Sequence, residues 1–133
     1  MRHRRQPATR RGATAVELAL TAPLFFLLIF GGMEFSRANM IRNAAGVAVL
    51  EGARAGILPG ATSSQCIAKT NAELAVLNIQ GGSVSVLPTA IDQDTPEVTV
   101  TVSIPLSQNA LPLSKFVIGK QLVQSIKLKR EID

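Results

Sequence analysis

The 14 lysines and arginines of this 133-residue chain outnumber its 9 acidic residues, giving a formal net charge of +5. The whole excess lies in residues 1–12, where Arg2, Arg4, Arg5, Arg10 and Arg11 meet no acid, and the remainder is neutral overall. A nucleic-acid binder needs its basic face on the folded part, so that class is excluded and the charge reads as topology. Arginines flanking an apolar segment stay in the cytoplasm and leave the rest of the chain outside. The length admits one small domain beyond a long helix. With no Trp or Tyr and only five Phe, its core falls to Val, Ile, Leu and Ala. The single Cys66 has no internal disulfide partner. It is either buried as a small hydrophobe or joined to another chain in an intermolecular bridge.

After the basic leader (1–12), residues 13–33 are apolar except for Glu17. At 1.5 Å per residue they span about 31 Å, close to the roughly 30 Å of a bilayer's hydrocarbon core. A cleaved secretory signal has a shorter apolar region and a small-residue site after it, so this segment stays in the protein as a transmembrane helix. Glu17 stands out, because a charge within a membrane segment costs roughly 2.5–3.5 kcal/mol even on mild insertion scales. It demands a partner. Pro23 removes a backbone donor and predicts a kink at the carbonyl of Ala19, with Thr21 near enough to help satisfy it.

The helix is predicted to continue outside the membrane over residues 34–58. Glu34 with Arg37 and Glu51 with Arg54 are i,i+3 pairs, and Ile41, Ala44, Ala45, Ala48 and Leu50 form a loose apolar stripe. Residues 59–133 then read as a small outer domain. Thr62 and Gln65 make a capping box for a helix that runs to about Asn78, buries Ile67, Leu74 and Leu77, and stops at Gly81-Gly82. Residues 83–87 alternate as a strand, as do residues 97–104, with Val98, Val100, Val102 and Ile104 on one face. A helical turn is expected near residues 113–118. A last strand comes after it near 122–130, where Ile126 and Leu128 alternate with Lys127 and Lys129. The fold class is α+β: a long N-terminal transmembrane helix extending outward, then about three antiparallel strands with a packed helix.

The outer domain shows little chemistry. The only histidine, His3, lies in the leader, so no His-based triad or zinc site is available outside. Ser63 and Ser64 read as cap residues, and Asp92, Asp94 and Glu97 as a solvated loop without the glycine of a calcium site. These residues predict no enzyme, no cofactor, no metal and no small-molecule substrate.

The run Arg11-Gly12-Ala13-Thr14-Ala15-Val16-Glu17-Leu18-Ala19-Leu20, with Pro23, Gly32 and Glu34-Phe35 after it, resembles the TadE-like minor pilins (pseudopilins) of tight-adherence pilus systems. Glu51-Gly52-Ala53-Arg54 is similar to the stretch that closes the long helix in that family. The resemblance covers residues 10–56. It implies cleavage by a membrane-embedded aspartyl prepilin peptidase between Gly12 and Ala13, beside Arg10 and Arg11. It also implies that Glu17, then the fifth residue, meets the new N-terminal amine of a neighbouring subunit. An opposite charge there offsets the desolvation of both groups. Leu18 departs from the Phe usual in the family at that position. The implied partners are the prepilin peptidase, other minor pilins, the pilus assembly platform and the lipid bilayer. The implied location is the inner membrane, crossed once, with the N-terminus cytoplasmic and the outer domain periplasmic or extracellular, either staying there or entering the pilus. The competing expectation is an uncleaved, signal-anchored protein whose outer domain binds another envelope partner.

Overall fold

The computed structural model describes residues 8–109 and 119–130. One helix dominates. Helix α1 (Ala8–Gly56) has 49 residues and is about 73 Å long at 1.5 Å per residue. It begins before Gly12 and runs unbroken through Pro23. Helix α2 (Ser63–Val76) comes after a short turn, and then β1 (Ser83–Leu87), β2 (Glu97–Pro105), the single turn α3 (Leu106–Asn109) and β3 (Gln121–Lys129). The strands form one antiparallel sheet in the order β1-β2-β3. Its register pairs Ser83 with Ser103 and Glu97 with Lys129. This is the α+β arrangement expected from the sequence. The helical turn expected at 113–118 lies outside the described residues.

The outer half of α1 and all of α2 lie on one face of the sheet. Central strand β2 supplies Val98, Val100, Val102 and Ile104, each fully buried. They meet Ile41, Ala45, Ala48, Val49 and Ala53 of α1, with Cys66 and Leu74 of α2 and Val86 of β1. Alanines keep the helix thin where the sheet approaches. Val49 takes the buried place that the sequence stripe assigned to Leu50, which is half-buried. On the opposite face of the sheet, Thr101 and Ser125 share a hydroxyl hydrogen bond of 2.8 Å, and Lys127 reaches Glu97 at 2.7 Å.

The two helices cross closely because of two glycines. A Cβ at Gly52 would overlap the hydroxyl of Thr70, and one at Gly56 would lie 2.8 Å from Cys66 Sγ and 3.0 Å from Val98. Thr70, fully buried, turns its hydroxyl inward to the Cys66 carbonyl at 2.8 Å, so its polar group is satisfied. The Glu-Gly-Ala-Arg stretch is thus a packing signature as well as a charge pair. Glu51 and Arg54 do pair, at 2.8 Å on the exposed side.

Helix α2 corrects the sequence reading at its far end. The capping box forms, with Thr62 N donating to Gln65 Oε1 at 3.1 Å and Gln65 N donating back to Thr62 Oγ1. The stop, however, is Asn78 rather than the glycine pair. Asn78 sits at φ 52, in the left-handed region that Asn tolerates. Ile79 N donates to the Leu74 carbonyl and Asn78 N to that of Ala75, closing a Schellman motif. Ending there leaves Leu77 exposed, and Cys66 and Thr70 are buried in its place.

Candidate functional site

The site is α1 itself, and its two halves are built differently. From Val16 to Met33 every large apolar side chain is exposed, by 44–70 % of its surface. Patches of that size on a soluble surface mark an interaction with membrane or protein. The helix is long and apolar enough to cross a membrane once. From Ile41 onward the same helix turns one face into the core of the outer domain.

Gly12 and Ala13 lie within α1, and a Cβ at Gly12 would meet no described atom outside its own helix turn within 4 Å. Arg10 and Arg11 lie in the same helix, just before Gly12. Glu17 is exposed and forms no ion pair with another described residue. Thr21 donates to the Glu17 carbonyl at 2.9 Å and leans toward that of Leu18 at 3.4 Å. The expected help to the Ala19 carbonyl is therefore not what Thr21 gives. A serine or threonine on a helix bonds most readily to the carbonyl one turn back, and from Thr21 that carbonyl belongs to Glu17.

Above the apolar stretch, Arg37 ties the helix to the outer domain. Its Nε donates to the carbonyl of Asn109 at the end of α3. Buried Asn109 then mimics a strand neighbour for Gln80. Its Oδ1 accepts from Gln80 N and its Nδ2 donates to Gln80 O, each at 2.8 Å, with a further bond to the Pro105 carbonyl. Sequence reasoning paired Arg37 with Glu34 one turn away and missed this stitch. Its partners stand 72 residues apart, and no local pattern announces such a contact.

Cys66 is buried, and its thiol donates to the Thr62 carbonyl at 3.4 Å. Burial pushes its pKa up, with the backbone hydrogen bond opposing in part. Among the described residues no group of three or more His, Cys, Asp or Glu is placed to hold a metal ion. Asp92 takes part in a turn instead. Its N–H and carbonyl exchange hydrogen bonds with Thr95, and its carbonyl also accepts from Arg130.

Residues 12–54 match the family described as TadE-like protein. Over these residues the helix is similar to that family. The matched segment starts at Gly12 and ends at Arg54, so it takes in the exposed apolar half of α1, Glu17, and the Gly52 crossing. No curated protein and no solved structure matches the chain. The match ends within α1 and leaves the outer domain to be read from its own structure.

Proposed function

We propose that the protein is a minor pilin, or pseudopilin, of a tight-adherence pilus. It is held in the inner membrane by α1 with its N-terminus in the cytoplasm, trimmed by a prepilin peptidase after Gly12, and used with other minor pilins at the assembly platform to initiate or cap the pilus and promote adherence. The observation that carries this reading is the exposed apolar half of α1 with one carboxylate, Glu17, five residues past Gly12. Cleavage there creates an amine at Ala13. A Glu17 carboxylate on a neighbouring subunit offsets its charge, and the N-terminal end of a helix favours that carboxylate. Arg10 and Arg11 hold the scissile bond at the cytoplasmic face.

A second reading keeps the anchor and omits the cut. The helix continues through Gly12 back to Ala8, which places the Gly12–Ala13 bond inside regular helix. A peptidase has to unwind that turn before it reaches the bond. A signal-anchored protein with an uncleaved leader needs no such step.

N-terminal sequencing of the protein from membranes of cells carrying the pilus system separates the two. A chain starting at Ala13 is expected, and one starting at Met1 or Arg2 would overturn processing. Glu17→Val is expected to leave cleavage intact while abolishing piliation, read by electron microscopy and surface-adhesion assay. Wild-type pili in that variant would remove the docking role of Glu17.

A further inference from the structure

The two poles of the outer domain carry different charge. Its near pole is placed by Arg37, four residues beyond Met33 and about 6 Å further along the helix. Arg37 holds Asn109, and Asn109 holds Gln80, so α3 and the turn around Gln80 lie at that same level. Lys120 lies there too, since its carbonyl accepts from Leu106 N at the start of α3. A bilayer's headgroup layer is about 5–8 Å thick on each side of the hydrocarbon. With α1 spanning a bilayer as far as Met33, this pole sits in or against the headgroups. The far pole lies beyond Gly56. There Arg130 gathers the carbonyls of Leu58 and Asp92, and Asp94 and Glu97 line a hollow with Asp92.

The exposed side chains of the near pole are cations and uncharged polar groups. Arg42 and Lys120 are exposed and form no ion pair with another described residue. Arg42 is about 14 Å beyond Met33 by helix rise, and side chains on a helix lean toward its N-terminus, the membrane side. It shares a hollow with Gln124 of β3, the strand that Lys120 leads into. Gln80, Ser107 and Gln108 are exposed as well and add amide and hydroxyl donors. Of the described carboxylates beyond Met33, Glu34 is nearest the boundary, and it is buried. Further out the cations are tied up, Arg54 by Glu51, Lys69 by Glu73 and Lys127 by Glu97.

An unpaired cation within a Debye length of a phosphate layer, about 8 Å at physiological salt, is drawn toward it. Carboxylates held at the opposite pole turn the whole domain the same way. We propose that the near pole is a docking surface for anionic lipid headgroups, with Arg42 and Lys120 meeting the phosphates and Gln80, Ser107 and Gln108 the neighbouring ester and hydroxyl oxygens. A single spanning helix fixes the height of the domain but leaves its tilt to anchors at the interface. These residues supply that anchor. The surface rests on α1 as a membrane anchor and needs neither cleavage at Gly12 nor a pilus.

The test uses the full unprocessed chain in vesicles of phosphatidylcholine alone, or of phosphatidylcholine mixed with phosphatidylglycerol. Amide exchange is read at Gln80, Ser107, Gln108 and Lys120. It is expected to be about tenfold slower in the mixed vesicles, an effect that two cations beside an anionic surface can supply, and molar salt should erase the difference. Arg42→Gln combined with Lys120→Gln is expected to lose the slowing. Arg54→Gln combined with Lys129→Gln removes the same charge from the far end and is expected to keep it. Equal exchange in the two lipids would overturn the proposal. So would equal losses in the two double variants, or the same slowing by inorganic phosphate on the chain in neutral detergent. Carbonate washing reads the anchor separately. A chain retained by the vesicles with equal exchange overturns the docking surface alone, whereas a chain released by carbonate overturns the anchor and the surface with it.

Discussion

The two halves of α1 share one backbone geometry and solve opposite problems. Before Met33 the side chains are large and outward, and no part of the described chain covers them. After Ile41 the inward residues are, Val49 apart, alanines and glycines, with contact so close that Gly52 and Gly56 have no room for a Cβ. Bulk is useful where the surrounding medium is lipid, which adapts to any shape. Smallness is required where a second helix and a sheet must fit against a fixed surface. Helicity therefore says nothing by itself about which medium a residue meets. Residue volume, read along the helix, does.

That contrast can be broken most sharply at the crossing. Gly52→Val is expected to lower the stability of the outer domain by about 2–3 kcal/mol through overpacking against Thr70, read by urea midpoint or by amide exchange on β2. Gly46→Ala, with open space around it, is expected to be neutral or to stabilise by up to about 1 kcal/mol. Equal losses in the two variants would show that helix propensity, not the crossing, is being measured. A smaller effect is expected at the junction of the halves. Asn109→Ala leaves the N–H and carbonyl of Gln80 without their partners, and should cost about 1–3 kcal/mol. Exchange should rise first at Gln80 and around α3.

The smallest effect comes from the pH response of Cys66. Its folded pKa lies above the ordinary 9.0 because burial disfavours the thiolate. Below that value both states hold the proton and stability is unaffected. As pH rises through it the unfolded chain loses the proton first, so stability falls. Cys66→Ala should remove this alkaline slope, and in the native chain Cys66 should resist alkylation until the domain opens.

Much of the fold was legible in the sequence where the pattern was local. The membrane stretch, the capping box at Thr62 and Gln65, and the alternation in β2 each depend on neighbours within a few residues. What escaped depended on distance. Asn78 was hidden behind the more conspicuous Gly81-Gly82, because a left-handed Asn is a choice the Schellman bonds make after packing. Leu77 reads as a core residue until the early stop leaves it outside. Arg37 had a plausible acid one turn away, and its contact with Asn109 depends on where α3 ends. The Gly52 crossing was visible only as a family-like stretch, since its purpose depends on Thr70 arriving from the next helix. At the site itself the chain order placed Gly12, Glu17 and Pro23 on one helix, and the structure showed that Ala8 already belongs to it.

The chain leaves α1 at its far end, beyond Gly56, and α2 returns toward the membrane alongside it. Thr70 lies against Gly52, and Val76 and Leu77 share a hollow with Ser36 through Val47. A pull on the membrane end of α1 consequently acts along the shared length of the two helices and the sheet. It loads their contacts in shear, all together, instead of peeling them one at a time from a hinge. A force on that end of α1 would move the outer domain as one body.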